Sequence, residues 1–148
     1  MPSDNCVFCQ IVAGEVGASF AYTDENTVAF ADRHPVNPGH VLVVPRRHTA
    51  RIADLDATTA SHIWATAVLI GSAVTKAGGE TVGVNILLSD GEVAGQEVEH
   101  VHAHVIPRHK GDGFHVDADA WHGAAPSREE LGESMASIRA ALASGRLS

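Results

Sequence analysis

The chain has 148 residues, of which 45% are hydrophobic and 19% charged, enough apolar material for one buried core and too much for a disordered chain. Ten Lys and Arg face 18 Asp and Glu, a formal net charge of -8, which argues against nucleic-acid binding through a broad basic face. Ten histidines, as many as Lys and Arg together, point instead to proton transfer, nucleophilic attack or metal binding.

In chain order, the start MPSDNCVFCQIVAGE has neither a basic n-region nor a long apolar run, so a cytoplasmic protein is expected. Cys6 and Cys9, spaced Cys-x-x-Cys, cannot build a disulfide framework and read as metal or redox chemistry in a reducing compartment. Cys6 to Ala13 reads as a short helix or turn stopped by Gly14. Ala18–Asp24 and Asn26–Ala31 read as a hairpin, and Pro35 to Gly39 as a loop before a short apolar strand, His40–Pro45. Asp56 caps a predicted helix over Ala57–Ala77, with Ile63, Ala67, Ile70 and Val74 on one face and Gly78-Gly79 as its stop. Its most apolar stretch, Ile63–Val74, is broken by Thr, Gly and Ser and falls short of the ~20 residues of a membrane span. Strands are predicted over Thr81–Ser89 and Val98–Pro107, joined by a glycine-containing loop, Asp90–Gln96. Ser127 and Glu130 form a capping-box pattern for a last helix with Leu131, Met135, Ile138 and Leu142 in one stripe, ahead of a frayed end. Strands in sequence blocks predict an α+β class with a mostly antiparallel sheet, in one domain over residues 1–148.

The strongest chemical signal is His100-Val101-His102-Ala103-His104-Val105-Ile106. On a strand His100, His102 and His104 share one face, and Val101, Ala103 and Val105 the other, toward the core. Protonated together they repel, which favours neutral imidazoles. A neutral imidazole attacks phosphorus well when its second nitrogen donates to a fixed acceptor. The bland alternative is three solvated surface histidines. The Asp90–Gln96 loop is by itself an ordinary turn. Leading into the histidines, it reads as a phosphate cradle whose glycines let backbone N–H groups approach an anion.

The run from Gly95 to Arg108, GQEVEHVHAHVIPR, resembles the signature of the histidine triad (HIT) family of nucleotide hydrolases and transferases. So do Cys6–Glu15, Ala31-Asp32, Pro38–Pro45 and the Arg108–Phe114 segment, as in the bacterial branch. The resemblance covers about residues 6–114, leaving 115–148 as a C-terminal extension. It implies a HIT-like fold: a five-stranded antiparallel sheet with a long helix across it, a C-terminal helix, and a dimer that joins the two sheets. It implies hydrolysis at the α-phosphate of a purine nucleoside 5'-phosphoryl compound, such as an adenosine phosphoramidate, an aminoacyl-adenylate or a dinucleoside polyphosphate.

By this resemblance His102 is the nucleophile, forming a nucleotidyl-histidine, with His104 and His40 beside it. The nucleotide site comprises Asp32, Ser89, Gly95, Gln96, His102 and His104, with Asp32 toward the ribose and Gln96 toward the phosphate and leaving group. Cys6, Cys9, His48 and His100 match a structural zinc site, chemically a Cys₂His₂ set. Two reduced cysteines packed in a helix, or a redox pair, are the other readings of Cys6 and Cys9. No magnesium requirement, nucleic acid or membrane partner is implied. Two departures stand out. Ser89 replaces an Asn or Gln, and Glu97 replaces a Ser or Thr that donates to phosphate, so Glu97 must point out, be protonated or pair with a cation. Arg46, Arg47, Arg108 and Lys110 read as solvated cations, His34 as a loop residue, and His62, His109, His115 and His122 take no role. Competing functions are nucleotidyl transfer or phosphorolysis, and a nucleotide-binding regulatory module with slow hydrolysis.

Overall fold

The computed structural model describes residues 5–116, 123 and 125–145, so His122 and the last residues of the frayed end lie outside it. The chain divides into two units, Met1–Asp112 and Gly113–Ser148. In the first, the order is α1 (Val7–Ala13), β1 (Phe20–Thr23), β2 (Thr27–Ala31), β3 (Val41–Pro45), α2 (Ala57–Lys76), β4 (Gly83–Leu88) and β5 (Ala103–Arg108). The five strands form one sheet in the order β1-β2-β3-β5-β4, each pair antiparallel. The predicted α+β class and five-stranded antiparallel sheet are therefore present.

Local chemistry explains the element ends. Gly14 stops α1 in the left-handed region (φ 79°), and its amide reaches back to the helix carbonyls. The Asp24 carboxylate turns the first hairpin by accepting from the Asn26 and Thr27 amides. Asp56 caps α2 by accepting from the Thr59 amide.

Both faces of the sheet are covered. Ile63, Ala67 and Ile70 of α2 pack on Ala29, Val41, Val43, Val101, Ala103 and Val105. Burial of each isoleucine contributes about 2 kcal/mol before entropy is counted. A bond between the Thr27 and Thr66 hydroxyls ties α2 to β2 at 2.9 Å. On the other face, Cys6, Phe8, Cys9 and Ile11 of the α1 segment pack on Val28, Phe30, Leu42 and Val44. The apolar run expected at Ile63–Val74 is the middle of a 20-residue helix, long and apolar enough to cross a membrane by length and composition. Its buried stripe against the sheet is that of a core helix.

The strand expected over Val98–Pro107 begins only at Ala103. Before it, the backbone finds other partners: the His100 amide turns back to the Val98 carbonyl and the Val101 amide donates to Thr49. The side-chain alternation survives without the ladder. Val101, Ala103 and Val105 face α2, while Leu42, paired with His104 in register, lies on the α1 face. On the histidine face His100 and His102 are buried and His104 is half-buried.

In the second unit α3 (Arg128–Ser144) opens with the predicted capping box, both reciprocal Ser127–Glu130 bonds being made. Leu131, Met135, Ile138 and Leu142 are exposed.

Candidate functional site

The chain brings two clusters of ligand-type side chains to the α1 face. His100 belongs to the first. It is fully buried, and its Nε2 lies 2.8 Å from the Pro45 carbonyl. A carbonyl only accepts, so Nε2 carries the proton and Nδ1 is left as a lone pair. That lone pair faces Cys6 Sγ at 3.4 Å and Cys9 Sγ at 3.6 Å, and His48 Nδ1 lies 3.3 Å from Cys9 Sγ. A tetrahedron with Zn–S of about 2.3 Å and Zn–N of about 2.0 Å has S···N edges of about 3.5 Å. The four residues named from the sequence thus converge at zinc spacing, and the tautomer of His100 presents the correct nitrogen.

His102 follows the same logic. Its Nδ1 lies 2.7 Å from the His100 carbonyl, so the proton sits on Nδ1 and Nε2 keeps its lone pair. His102 is buried, with the edge-on ring of Phe8 packed against it at 5.1 Å. Its Nε2 makes no hydrogen bond among the described residues. The one fully buried unpaired side-chain nitrogen or oxygen among the described residues is His62 Nδ1, so His102 Nε2 retains contact with solvent. The fixed acceptor that a nucleophilic imidazole needs is therefore a backbone carbonyl.

The second cluster is Asp32, His40 and His104. His40 Nε2 lies 3.0 Å from His104 Nδ1 and 3.4 Å from the Asp32 carboxylate. The other carboxylate oxygen of Asp32 accepts from the His34 amide. The rings of His102 and His104 are 5.0 Å apart, which places this cluster beside the free nitrogen's ring.

Burial is the leading cause of the low basicity here. It pushes His104 and His100 down to about 4, with neighbouring histidines adding to the effect. Burial lowers His40 also, against the opposing pull of Asp32. Mutual repulsion, the cause expected from the sequence, is secondary to this loss of hydration.

The loop before the histidines is built differently from a row of free amides. The Gly91 amide donates to the Gln96 side chain, and those of Ala94, Gly95 and Gln96 donate within the turn. The Gln96 Nε2 donates to the Ala50 and Val98 carbonyls. Gln96 is thus buried and holds the loop, while Gly91 (φ 92°) and Gly95 (φ 90°) supply its left-handed bends. The amides of Glu97 and Val98 make no hydrogen bond among the described residues, and they immediately precede the histidine run. The Glu97 side chain is exposed, and Ser89 is half-buried at the end of β4.

The HIT domain family profile matches residues 13–111. The chain belongs to the HIT family. It is 32% identical over 109 residues to adenylylsulfatase HINT3 of Arabidopsis thaliana, covering 74% of this chain and 55% of that protein. A zinc-bound histidine triad family protein from Mycobacterium smegmatis is 36% identical with a TM-score of 0.72, covering 96% of this chain and 98% of that one. A histidine triad nucleotide-binding protein from Candida albicans is 28% identical with a TM-score of 0.82, covering 95% and 99%.

Several residues of this HIT site escaped the sequence reading. Phe8 between the two cysteines carried no signal beyond its apolarity. Arg108, expected in solvent, makes a two-pronged pair with Asp112 at 2.6 and 2.8 Å and also reaches Asn85. A carboxylate four residues downstream was the signal available for that pair.

His100 and His104 hold their protons only near pH 4 when folded, against about 6.5 for an unfolded histidine. Between those values the unfolded chain binds more protons, so stability is complete above about pH 6.5 and lost as pH falls toward 4. Thermal melts of metal-free protein should be flat above neutrality and drop steadily below about pH 6.5. The drop should be shallower in His104→Asn.

Proposed function

We propose that the protein hydrolyses purine nucleoside 5'-phosphoryl compounds at the α-phosphate through a nucleotidyl-histidine on His102. One observation carries this reading: the His100 carbonyl holds the His102 Nδ1 proton and leaves Nε2 as a free lone pair beside the Asp32–His40–His104 cluster. A purely binding role has no use for such a nitrogen. The name of the plant relative, an adenylylsulfatase, fits a substrate with a leaving group on the α-phosphorus of an adenylyl compound.

In the first step His102 Nε2 bonds to the α-phosphorus, and the bond to the leaving group breaks with its electron pair. A carboxylate, sulfate or nucleoside-phosphate leaving group departs as an anion; an amine departs after taking a proton from solvent. The Glu97 and Val98 amides and the His104 ring are the groups available to the phosphoryl oxygens, with Gly95 and Gln96 shaping the loop that carries those amides. Ser89, just past the end of β4, and Asp32 complete the nucleotide site in this reading, with the Asp32 carboxylate toward the ribose. Water then attacks phosphorus and loses a proton to solvent, while the P–Nε2 bond breaks with its electron pair returning to His102 Nε2 and the nucleoside monophosphate leaves. These donors carry the charge with no call for magnesium.

Cys6, Cys9, His48 and His100 fit a zinc ion by donor set, spacing and tautomer. Bound there, zinc would act as a structural tie between α1 and the His100 segment. Two buried reduced cysteines also fit a cytoplasmic setting. The outer face of α2 exposes Trp64, Val68 and Leu69, and β4 is an edge strand, so two copies paired through this region would cover both.

Single-turnover reaction with α-phosphate-labelled substrate should place label on His102 in an acid-labile, base-stable bond. His102→Ala should lose the label and at least about a thousandfold in rate while still binding nucleotide. Full activity of His102→Ala with no label on the wild type would overturn the mechanism. Metal analysis of protein purified without chelator should find about one zinc per chain, lost in Cys9→Ser together with several degrees of melting temperature. Light scattering at micromolar concentration should give twice the chain mass; a stable monomer would sink the pairing.

A further inference from the structure

The Val36 amide lies 3.0 Å from His40 Nδ1. An amide N–H can only donate, so Nδ1 must be a lone pair and the proton of the neutral ring sits on Nε2. That proton then points to His104 Nδ1, 3.0 Å away, which must accept it. His104 is left with its own proton on Nε2. One backbone amide therefore sets the tautomer of two histidines, and with it which of them offers a donor to a bound phosphate.

Val36 lies in an otherwise exposed loop whose one buried residue between Arg33 and Gly39 is Asn37. Asn37 uses both protons of its amide group, one on the Pro107 carbonyl at 2.8 Å and one on the Asp112 carboxylate at 2.9 Å. Its backbone carbonyl accepts from the His40 amide. Asp112 is held in turn: its side chain is 3% exposed, gripped by both prongs of Arg108 and by the His109 amide. Arg108 is anchored on β4 through Asn85. Gly39 turns with φ +90°, and a Cβ there would come within 3.3 Å of Pro107, so the loop also sits close against the end of β5. The loop is tied to the sheet by Asn37 and Asp112, whose side chains bond Pro107, Arg108 and each other and make no bond to the Cys6–Cys9–His48–His100 cluster among the described residues.

We infer that Asn37 and Asp112 form a latch that places the Val36 amide on His40 and so fixes His40 as the Nε2–H donor to His104. Both are positioning residues for the reaction at His102. Without the latch, Val36 moves off Nδ1, and His40 is free to carry its proton on either nitrogen. In the wrong tautomer His40 Nε2 is a lone pair that accepts a hydrogen bond from His104 Nδ1–H, so that neutral His104 carries no proton on Nε2 and that nitrogen is repelled by a phosphoryl oxygen. The pair with Arg108 matters because it holds one carboxylate oxygen on Asn37 inside the protein, where a neutral amide cannot accept from three donors at once.

The effect on turnover rests on the hydrolase reading, whereas the tautomer does not, so the test has two arms. The first is ¹⁵N NMR of the imidazoles in the full chain near neutral pH. Wild-type His40 and His104 should each show a protonated Nε2 and an unprotonated Nδ1. Asn37→Ala and Asp112→Asn should shift His40 toward the other tautomer. The second arm is steady-state kinetics. In both variants kcat should fall between about tenfold and a hundredfold with a much smaller rise in KM, because one phosphate donor is misplaced while the remaining nucleotide contacts are kept. Asp112→Glu, which keeps the charge on Arg108, should recover part of the loss. A wild-type His40 protonated on Nδ1 overturns the latch with no variant needed. Folded variants with wild-type tautomers and wild-type kcat overturn it equally. If the wild type turns over no nucleotide, the hydrolase reading fails and the NMR arm alone decides the latch.

Discussion

His100 reaches in three directions, and both halves of the site hang on it. Its ring proton is fixed on the Pro45 carbonyl of β3, its remaining ring nitrogen faces Cys6 and Cys9, and its backbone carbonyl takes the ring proton of His102. Because the residue is fully buried, none of these partners can be exchanged for water without cost. The cysteine cluster and the His102 imidazole are thus joined through one residue. Phe8 adds a second link, since it sits between the two cysteines in sequence and packs its ring edge-on against both His100 and His102. A shift of α1 would disturb the environment of His102 even if no contact to substrate changed.

This coupling explains why the histidine run departs from regular strand geometry just where it matters. In a continuous ladder the His100 carbonyl and the Val101 amide would serve a neighbouring strand. Here the Val101 amide goes to Thr49 and the carbonyl is released for the His102 ring. The ladder resumes at Ala103, so His104 is set by its pairing with Leu42 while His102 is set by a side-chain bond. The loss of a few strand bonds provides the acceptor that fixes a tautomer.

What could be read from the sequence follows from the range of the interactions involved. Gly14, Asp56 and the Ser127–Glu130 box act on groups within a few residues of themselves, so their patterns were visible. The alternation of His100–Val105 was also visible, because side-chain direction persists in any extended chain. The length of β5 was not, because it depends on Thr49, about fifty residues away. Arg108 looked like a solvated cation for the same reason: its burial depends on a carboxylate that itself bonds Asn37, 75 residues upstream. Gln96 was picked out, but the direction of its amide toward Gly91, Ala50 and Val98 needed the folded loop.

The two clusters also illustrate why donor geometry alone does not define a metal site. Asp32 Oδ2, His40 Nε2 and His104 Nδ1 are separated by 3.0, 3.4 and 3.8 Å, close to the edges of a tetrahedral face around zinc. The set around His100 has comparable spacing. What differs is the backbone partner of the second nitrogen. Pro45 offers a carbonyl to His100 and so frees the inward nitrogen as a lone pair; Val36 offers an N–H to His40 and so protonates the inward nitrogen. A cation held by His40 would have to displace that proton and set Nδ1–H against the Val36 amide, at a cost of about 1–3 kcal/mol for the unpaired group. One face of the sheet therefore carries a cluster whose inward nitrogen is a lone pair and another whose inward nitrogen bears a proton. The sorting is done by two main-chain groups of opposite polarity.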